Sequence, residues 1–322
     1  MFTGRLVLLA FIVAGCSDTA THPLDAGARR AAIAALATQV EAHYIDPAAA
    51  RRIGAMLRAN ERAGAYHAIG DDAALAQRLS ADLLQASKDA RLRVVPLVPP
   101  LPWWRAMQDT AGIASVDRIG ADIGYIDLTQ FAPPQYAAAR YAGAFRKLAS
   151  ANTIILDLRR NQGGDADGLQ LLASYMVDRP IHYADLARRD ATVARWAFPQ
   201  LAARPYLGQL TILVGPQTSA EAENFAFALQ AWKRAIVVGS RSAGVVTASG
   251  SYPIAAHLHA AIPDARVTLP LTGTTWQGGV RPDIPIGGDA LKEAKRRTLQ
   301  DRLAHVTTPM GRAALLGLLN EL

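Results

Sequence analysis

The 322 residues contain one cysteine, at position 16, so no disulfide can form within the chain and a catalytic thiol is not expected. Long apolar runs are also missing. The continuous stretch Leu6 to Val13 is too short to span a bilayer. There are no internal repeats and no low-complexity tracts. Of the seven histidines, His257-x-His259 has a spacing that would place two rings on one face of a strand. A metal site needs a third ligand, and none stands near that pair or near His182, so surface or packing roles are expected and no metal is. Nothing in the chain calls for a cofactor. The positive charges exceed the negative (34 Lys+Arg against 27 Asp+Glu) but are scattered. The one dense cluster, Lys292 to Arg297, has no basic-aromatic motif beside it, so a nucleic-acid partner is not expected.

What is present is the composition of a protein with a substantial core, 51% hydrophobic and 19% charged. Residues 1–15 have the form of a targeting segment, with Arg5 before the apolar stretch. Val13-Ala14-Gly15-Cys16 resembles the lipobox of bacterial lipoproteins, which implies that Cys16 carries the lipid and becomes the mature N-terminus. Ser17 then favours the outer membrane. An ordinary cleaved signal peptide with a chance cysteine is the alternative. Residues 16–28 read as a polar tether. From 29 to 95 the apolar positions recur at helical spacing (Ile33, Leu36, Val40; Ile53, Leu57; Leu75, Leu79, Leu83), predicting a small helical bundle without strands. Asp46-Pro47 and Gly70-Asp71-Asp72 start its later helices. Residues 96–104 form a proline-rich linker ending in Trp103-Trp104, which we expect to pack two domains together.

Residues 105–288 have an α/β texture, and 289–322 a C-terminal helix and an apolar tail that should pack. Strands are expected at Ile123–Leu128, Thr153–Leu158, Thr211–Val214 and Ala235–Val238, with further strand character near Tyr252–Ile254 and Arg266–Leu269. Helices are expected at Tyr136–Leu148 and Leu169–Met176, and an irregular surface excursion at Asp178–Gln209. The stretch Thr211 to Gly244 reads strand, turn, helix, strand, with Gln217-Thr218-Ser219-Ala220-Glu221 at the turn. A helix N-terminus presents free amides there, a usual place for a nucleophile. Ser219 is one candidate. The other reading is structural: Thr218 or Ser219 caps the helix, and Thr218-x-x-Glu221 forms a capping box. Glu221 and Glu223 are the nearest carboxylates, weak bases for a hydroxyl unless burial raises their pKa. A second stretch, Leu156 to Gly164, ends a strand in Asn161-Gln162-Gly163-Gly164, whose glycine amides suit an oxyanion hole.

These motifs together resemble peptidase family S41, the tail-specific or C-terminal processing proteases, and within it the branch similar to interphotoreceptor retinoid-binding protein. Leu156 to Gly164 matches the family's LDLRxNxGG. Phe225-Ala226-Phe227, Arg234-Ala235 and Val237-Val238-Gly239 match the helix and strand after its nucleophile, and Trp276 to Ile284 resembles its closing motif. His43 to Pro47 and Ser87 to Val94 resemble the ends of that branch's helical domain. The resemblance implies a crotonase/ClpP-like α/β (α+β) domain behind a small helical bundle, with no PDZ insert. It places the nucleophile at Ala220, five residues before Phe225, so Ser219 stands one residue early, a turn of ~100° on a helix. It places the processing branch's lysine at Val245 and the other branch's histidine at Arg91, with that branch's Glu and second His at Ser240 and Thr247. An arginine stays charged and is no base at neutral pH. The function implied is an extracytoplasmic lipoprotein whose peptidase centre is degenerate. It would hold a peptide or small apolar ligand at Gly163, Gly164, Ala220 and Glu221. An active serine endopeptidase using Ser219 and a purely structural envelope lipoprotein are the alternatives.

Overall fold

The computed structural model describes residues 21–96, 108–119, 123–202 and 204–322. Cys16 with its leader, the prolines from 97 to 102, and Trp103-Trp104 lie outside the described residues.

Three helices open the described chain: α1 (Ala26–His43), α2 (Pro47–Arg62) and α3 (Asp72–Ser87). Each starts on an aspartate. The side chains of Asp25, Asp46 and Asp71 accept hydrogen bonds from first-turn amides that have no partner inside the helix. Capping by Asp25 starts α1 three residues ahead of the Arg29 expected from the apolar spacing. The helices bury the residues their periodicity picks out, Ile33, Leu36, Val40, Ile53, Leu57, Leu75, Leu79 and Leu83.

This core is not closed by helices alone. Ile254, Leu258, Ala260 and Ile262 complete it, and they belong to a hairpin from much later in the chain, β9 (Thr247–Ala255) and β10 (Leu258–Thr268). The chain leaves α3 at Lys88, with φ 59°, and runs as β1 (Arg93–Pro96), antiparallel to β10 from Arg93↔Ala261 to Pro96↔Leu258. A strand therefore ends the segment read as purely helical. The sequence hides it because β1 is four residues long and buries only Val94.

The larger sheet has the order β11-β8-β7-β4-β3-β2, where β2 is Ile113–Ile119, β3 Ile123–Leu128, β4 Thr153–Asp157, β7 Gln209–Val214, β8 Ile236–Gly239 and β11 Ile284–Pro285. All neighbours are parallel except the β2–β3 pair. Every residue of β4 is buried, as expected of a central parallel strand covered on both faces. Its side chains alternate between two cores. Ile154 and Leu156 pack with α4 (Pro134–Lys147), α5 (Ala166–Ser174) and α6 (Glu221–Ala231). Ile155 packs with Leu213 and Val238 against α7 (Ala290–His305) and α8 (Pro309–Asn320), the C-terminal helix and tail.

The second sheet is antiparallel, ordered β1-β10-β5-β6, with β9 also on β10. Its strands β5 (Ile181–Ala187) and β6 (Thr192–Ala197) correct the expected irregular excursion over 178–209. A register shift between His182 and Ala184 breaks the alternation of β5. Along β6 only Ala197 is buried, so the period that marks a half-buried strand is not written in those residues.

Candidate active site

Strands β4 and β7 are paired, so the loops leaving their carboxyl ends meet, where open parallel sheets place their crevices. In the first loop Asn161 is fully buried. Its amide group donates to the Leu128 carbonyl at 3.1 Å and its oxygen accepts from Gly163 N–H at 2.9 Å. Gly163 and Gly164 have φ of 105° and 138°. A β-carbon on Gly164 would stand 2.3 Å from the Phe131 carbonyl oxygen, and one on Gly163 2.5 Å from Glu221 Oε2. Backbone leaves no space for a side chain at Gly164, and both positions have a φ that side chains rarely adopt.

The second loop is stitched to the first by Thr218. Its buried hydroxyl donates to the Leu158 carbonyl at 2.7 Å and accepts from Gly215 N–H at 2.9 Å. With that hydroxyl engaged, Thr218 does not cap α6, and in place of the expected Thr218–Glu221 capping box only the carboxylate half of such a box forms, two residues later. The cap position is Ala220, and the carboxylate of Glu223 accepts from its N–H at 3.1 Å. Ala220 has φ 53° and ψ −119°, a conformation unfavourable for any residue with a β-carbon. The resemblance places the nucleophile at this residue, so the strained elbow is present with a methyl group on it.

Ser219 is partly exposed beside the elbow. Its hydroxyl donates to the Gln162 carbonyl at 3.2 Å and its N–H to the Asn161 carbonyl at 3.1 Å. Among the described residues it has no hydrogen bond to an imidazole, amine or carboxylate. Among the described residues Glu223 makes no hydrogen bond to Ser219. Fully buried, it accepts from Ser242 Oγ at 2.5 Å, Gly244 N–H at 2.6 Å and Val245 N–H at 2.7 Å, which holds the β8–β9 loop against the elbow.

That bracket brings Val245 onto a cavity of about 40 Å³ shared with Ala220, Glu221, Asn224 and Thr247. Its remaining walls are mostly apolar, Leu169, Leu186, Val267 and Trp276 among them, with Tyr183 and Arg195. Arg91 is held by Asp89 through Nε–Oδ1 at 2.9 Å and Nη2–Oδ2 at 2.8 Å. Its Nη1 donates to the Thr247 hydroxyl and, at 3.3 Å, to the Thr247 carbonyl. Two positions implied for bases therefore touch each other, across 156 residues of sequence. Ser240 lies apart and lines a different crevice with Arg159 and Arg160.

Glu221 Oε2 accepts the Gly164 N–H at 3.1 Å. Burial pushes the pKa of this carboxyl up, against the opposing effect of the backbone amides. Three amides around the elbow thus have acceptors within the protein: Asn161 for Gly163, Glu221 for Gly164, Glu223 for Ala220. An oxyanion needs such donors aimed at the place where charge develops. Neither loop signals this occupation in sequence, because the acceptor of Gly164 lies 57 residues away.

Among the histidines, His182 Nε2 is 2.8 Å from Asp185 and its ring stacks on Trp196. His259 bonds Ser251, while His257 lies in the turn before β10 and stacks on His22, so the pair does not share a strand face. Among the described residues no three His, Cys, Asp or Glu groups could hold a metal ion.

The model of peptidase family S41 matches residues 122–286, and that of the N-terminal domain of peptidase S41 in eukaryotic IRBP matches 26–111. A carboxyl-terminal-processing protease of Synechocystis sp. is 28% identical over 169 residues, 52% of this chain. This chain covers only 38% of that relative's length. Similar solved structures include a lipoprotein from Streptococcus agalactiae, with TM-score 0.63 and 14% identity over 85% of this chain and 96% of that one. The photosystem II D1 C-terminal processing protease gives TM-score 0.54 and 16% identity over 82% and 94%. A candidate peptidase from Parabacteroides merdae gives 0.51 and 15% over 83% and 92%. At these identities the structural matches establish the fold. The family model covers half of the chain, across both loops of the site, and the chain belongs to peptidase family S41.

Proposed function

We propose that this S41 protein is an extracytoplasmic lipoprotein that has given up peptide hydrolysis and uses the inherited cleft to hold a peptide or small apolar ligand. One observation carries the reading: a methyl group stands on the strained elbow at Ala220, with Val245, Thr247 and Arg91 at the positions where bases are implied. Loss of the nucleophile from a Ser–His centre costs on the order of 10⁶ in kcat, so residual chemistry without one is slight. Ser219 has a backbone carbonyl as its hydrogen-bond acceptor, which supports the same reading.

The lipobox-like Val13-Ala14-Gly15-Cys16 supports a lipid anchor at Cys16 and a place in the cell envelope, with Ser17 favouring the outer membrane. One of the proteins with a similar fold is itself called a lipoprotein. Among the described residues no helix is long and apolar enough to cross a membrane.

The test is incubation of the protein with unstructured peptides, alongside a fluorophosphonate probe. The expected result is neither turnover nor labelling. Turnover that Ser219→Ala abolishes would overturn the proposal and establish an active serine endopeptidase.

A further inference from the structure

We propose that Glu221 makes the cleft selective for a ligand tipped with a cationic nitrogen, an ammonium group on a short apolar stem; this rests on the cleft being a binding site rather than a catalytic one. A peptidase centre points backbone N–H groups at its substrate and so attracts negative charge. In this chain the polarity is reversed. The Gly164 N–H is taken by Glu221 Oε2, and the carboxylate itself lines the cavity beside Ala220. Glu221 is the first residue of α6, so the helix holds its backbone in place, and the Oε2 contact with Gly163 leaves no room for a β-carbon there. A ligand carbonyl or carboxylate entering the cavity meets an acceptor where the fold formerly offered a donor. An N–H or ammonium group meets a partner.

The charges around the site agree. Asp165 adds a second negative charge near Glu221. Arg195, the cation on the wall, donates through Nη2 to Asp167 at 2.5 Å, which offsets its charge, while its buried Nε has no acceptor. Leu169, Val245 and Trp276 supply the apolar surface for the stem, and the cavity of about 40 Å³ limits the inserted tip to a few heavy atoms.

A single introduced thiol reads this polarity without any knowledge of the ligand. The chain has one cysteine, so Cys16→Ser with Ala220→Cys leaves one thiol, in the cleft. Its thiolate attacks the sulfur of a methanethiosulfonate, forming a mixed disulfide and expelling methanesulfinate. The ratio of rates for trimethylammonium-ethyl and sulfonatoethyl reagents cancels the thiolate fraction and reports the local field. Because burial raises the Glu221 pKa, the ratio is measured at about pH 8, where the carboxylate is more fully charged. Adding Glu221→Gln is expected to lower the cation-to-anion ratio at least about tenfold, as removal of a unit charge within a few ångströms of the thiol requires. A ratio that changes less than about twofold overturns the assignment. Val245→Cys, on the same cavity, repeats the measurement should the elbow not tolerate cysteine, and the same two outcomes decide. Peptide turnover by Ser219 bears on the binding reading; an insensitive ratio bears on Glu221 alone.

Discussion

Ala220 holds φ 53° and ψ −119° at the end of the six-residue turn that joins a strand to the helix reversing its direction. A β-carbon in that region clashes with its own backbone, at a cost of order 1–3 kcal/mol, and persists where surrounding structure over-determines it. The surroundings here are the Glu223 carboxylate on its N–H, Thr218 stitching the two loops, and Gly163 packed against it. Glycine removes the clash. Ala220→Gly is therefore expected to raise stability by about 1 kcal/mol, read as a higher denaturant midpoint at unchanged m-value, although the same exchange within a helix destabilises. An unchanged or lowered midpoint would mean that the elbow is not strained.

At the scale of elements, β10 is the piece that two cores share. Its first half pairs with β1 and buries Leu258, Ala260 and Ile262 under the helical bundle; its last residues pair with β5, where Val267 enters the core over the larger sheet. Arg189, in the β5–β6 turn, reaches the carbonyls of Glu41, Ala42 and Tyr44 at the end of α1. The bundle is thus built into the sheet, and the boundary expected at residue 95 is crossed by backbone pairing. Ile262→Ala opens a cavity under the helices and should cost about 2–5 kcal/mol. Far-UV and near-UV signals should shift together in one transition, since the bundle cannot keep its core without the hairpin. Two separated transitions would show that the helices stand alone.

The bundle helices were legible because their apolar residues repeat at 3.6 and Asp46 and Asp71 mark the starts of the second and third. The central parallel strands were legible because both of their faces are covered, which writes them as apolar runs such as Thr153 to Leu158. The edge strands β2 and β6 were not. They bury little, and their partners are chosen by the sheet rather than by their own side chains.

For the whole molecule, the proposed lipid anchor rests on sixteen residues of sequence; among the described residues no helix is long and apolar enough to cross a membrane. A net charge of +7 spread over the surface gives weak, salt-sensitive attraction to anionic lipid, whereas acyl chains give attachment that persists in high salt. Expressed with its leader, the protein should fractionate with membranes in high salt, and Cys16→Ser should release it. Retention of the Cys16→Ser protein in the membrane fraction would remove the case for a lipid anchor.

Residue order alone carried the family, the helical bundle, the central strands and the identity of the side chains at each family position, because local periodicity and fixed motif spacing are one-dimensional properties. Tertiary structure decided what those side chains do. It set the Glu221 carboxylate on the Gly164 amide, 57 residues away, and gave Glu223 the task of holding Val245 at the cleft. It also joined Arg91 to Thr247 across 156 residues. Hydrogen-bond partners are assigned by distance in space, and a chain that returns to the same point through two sheets leaves no local trace of which donor will meet which acceptor.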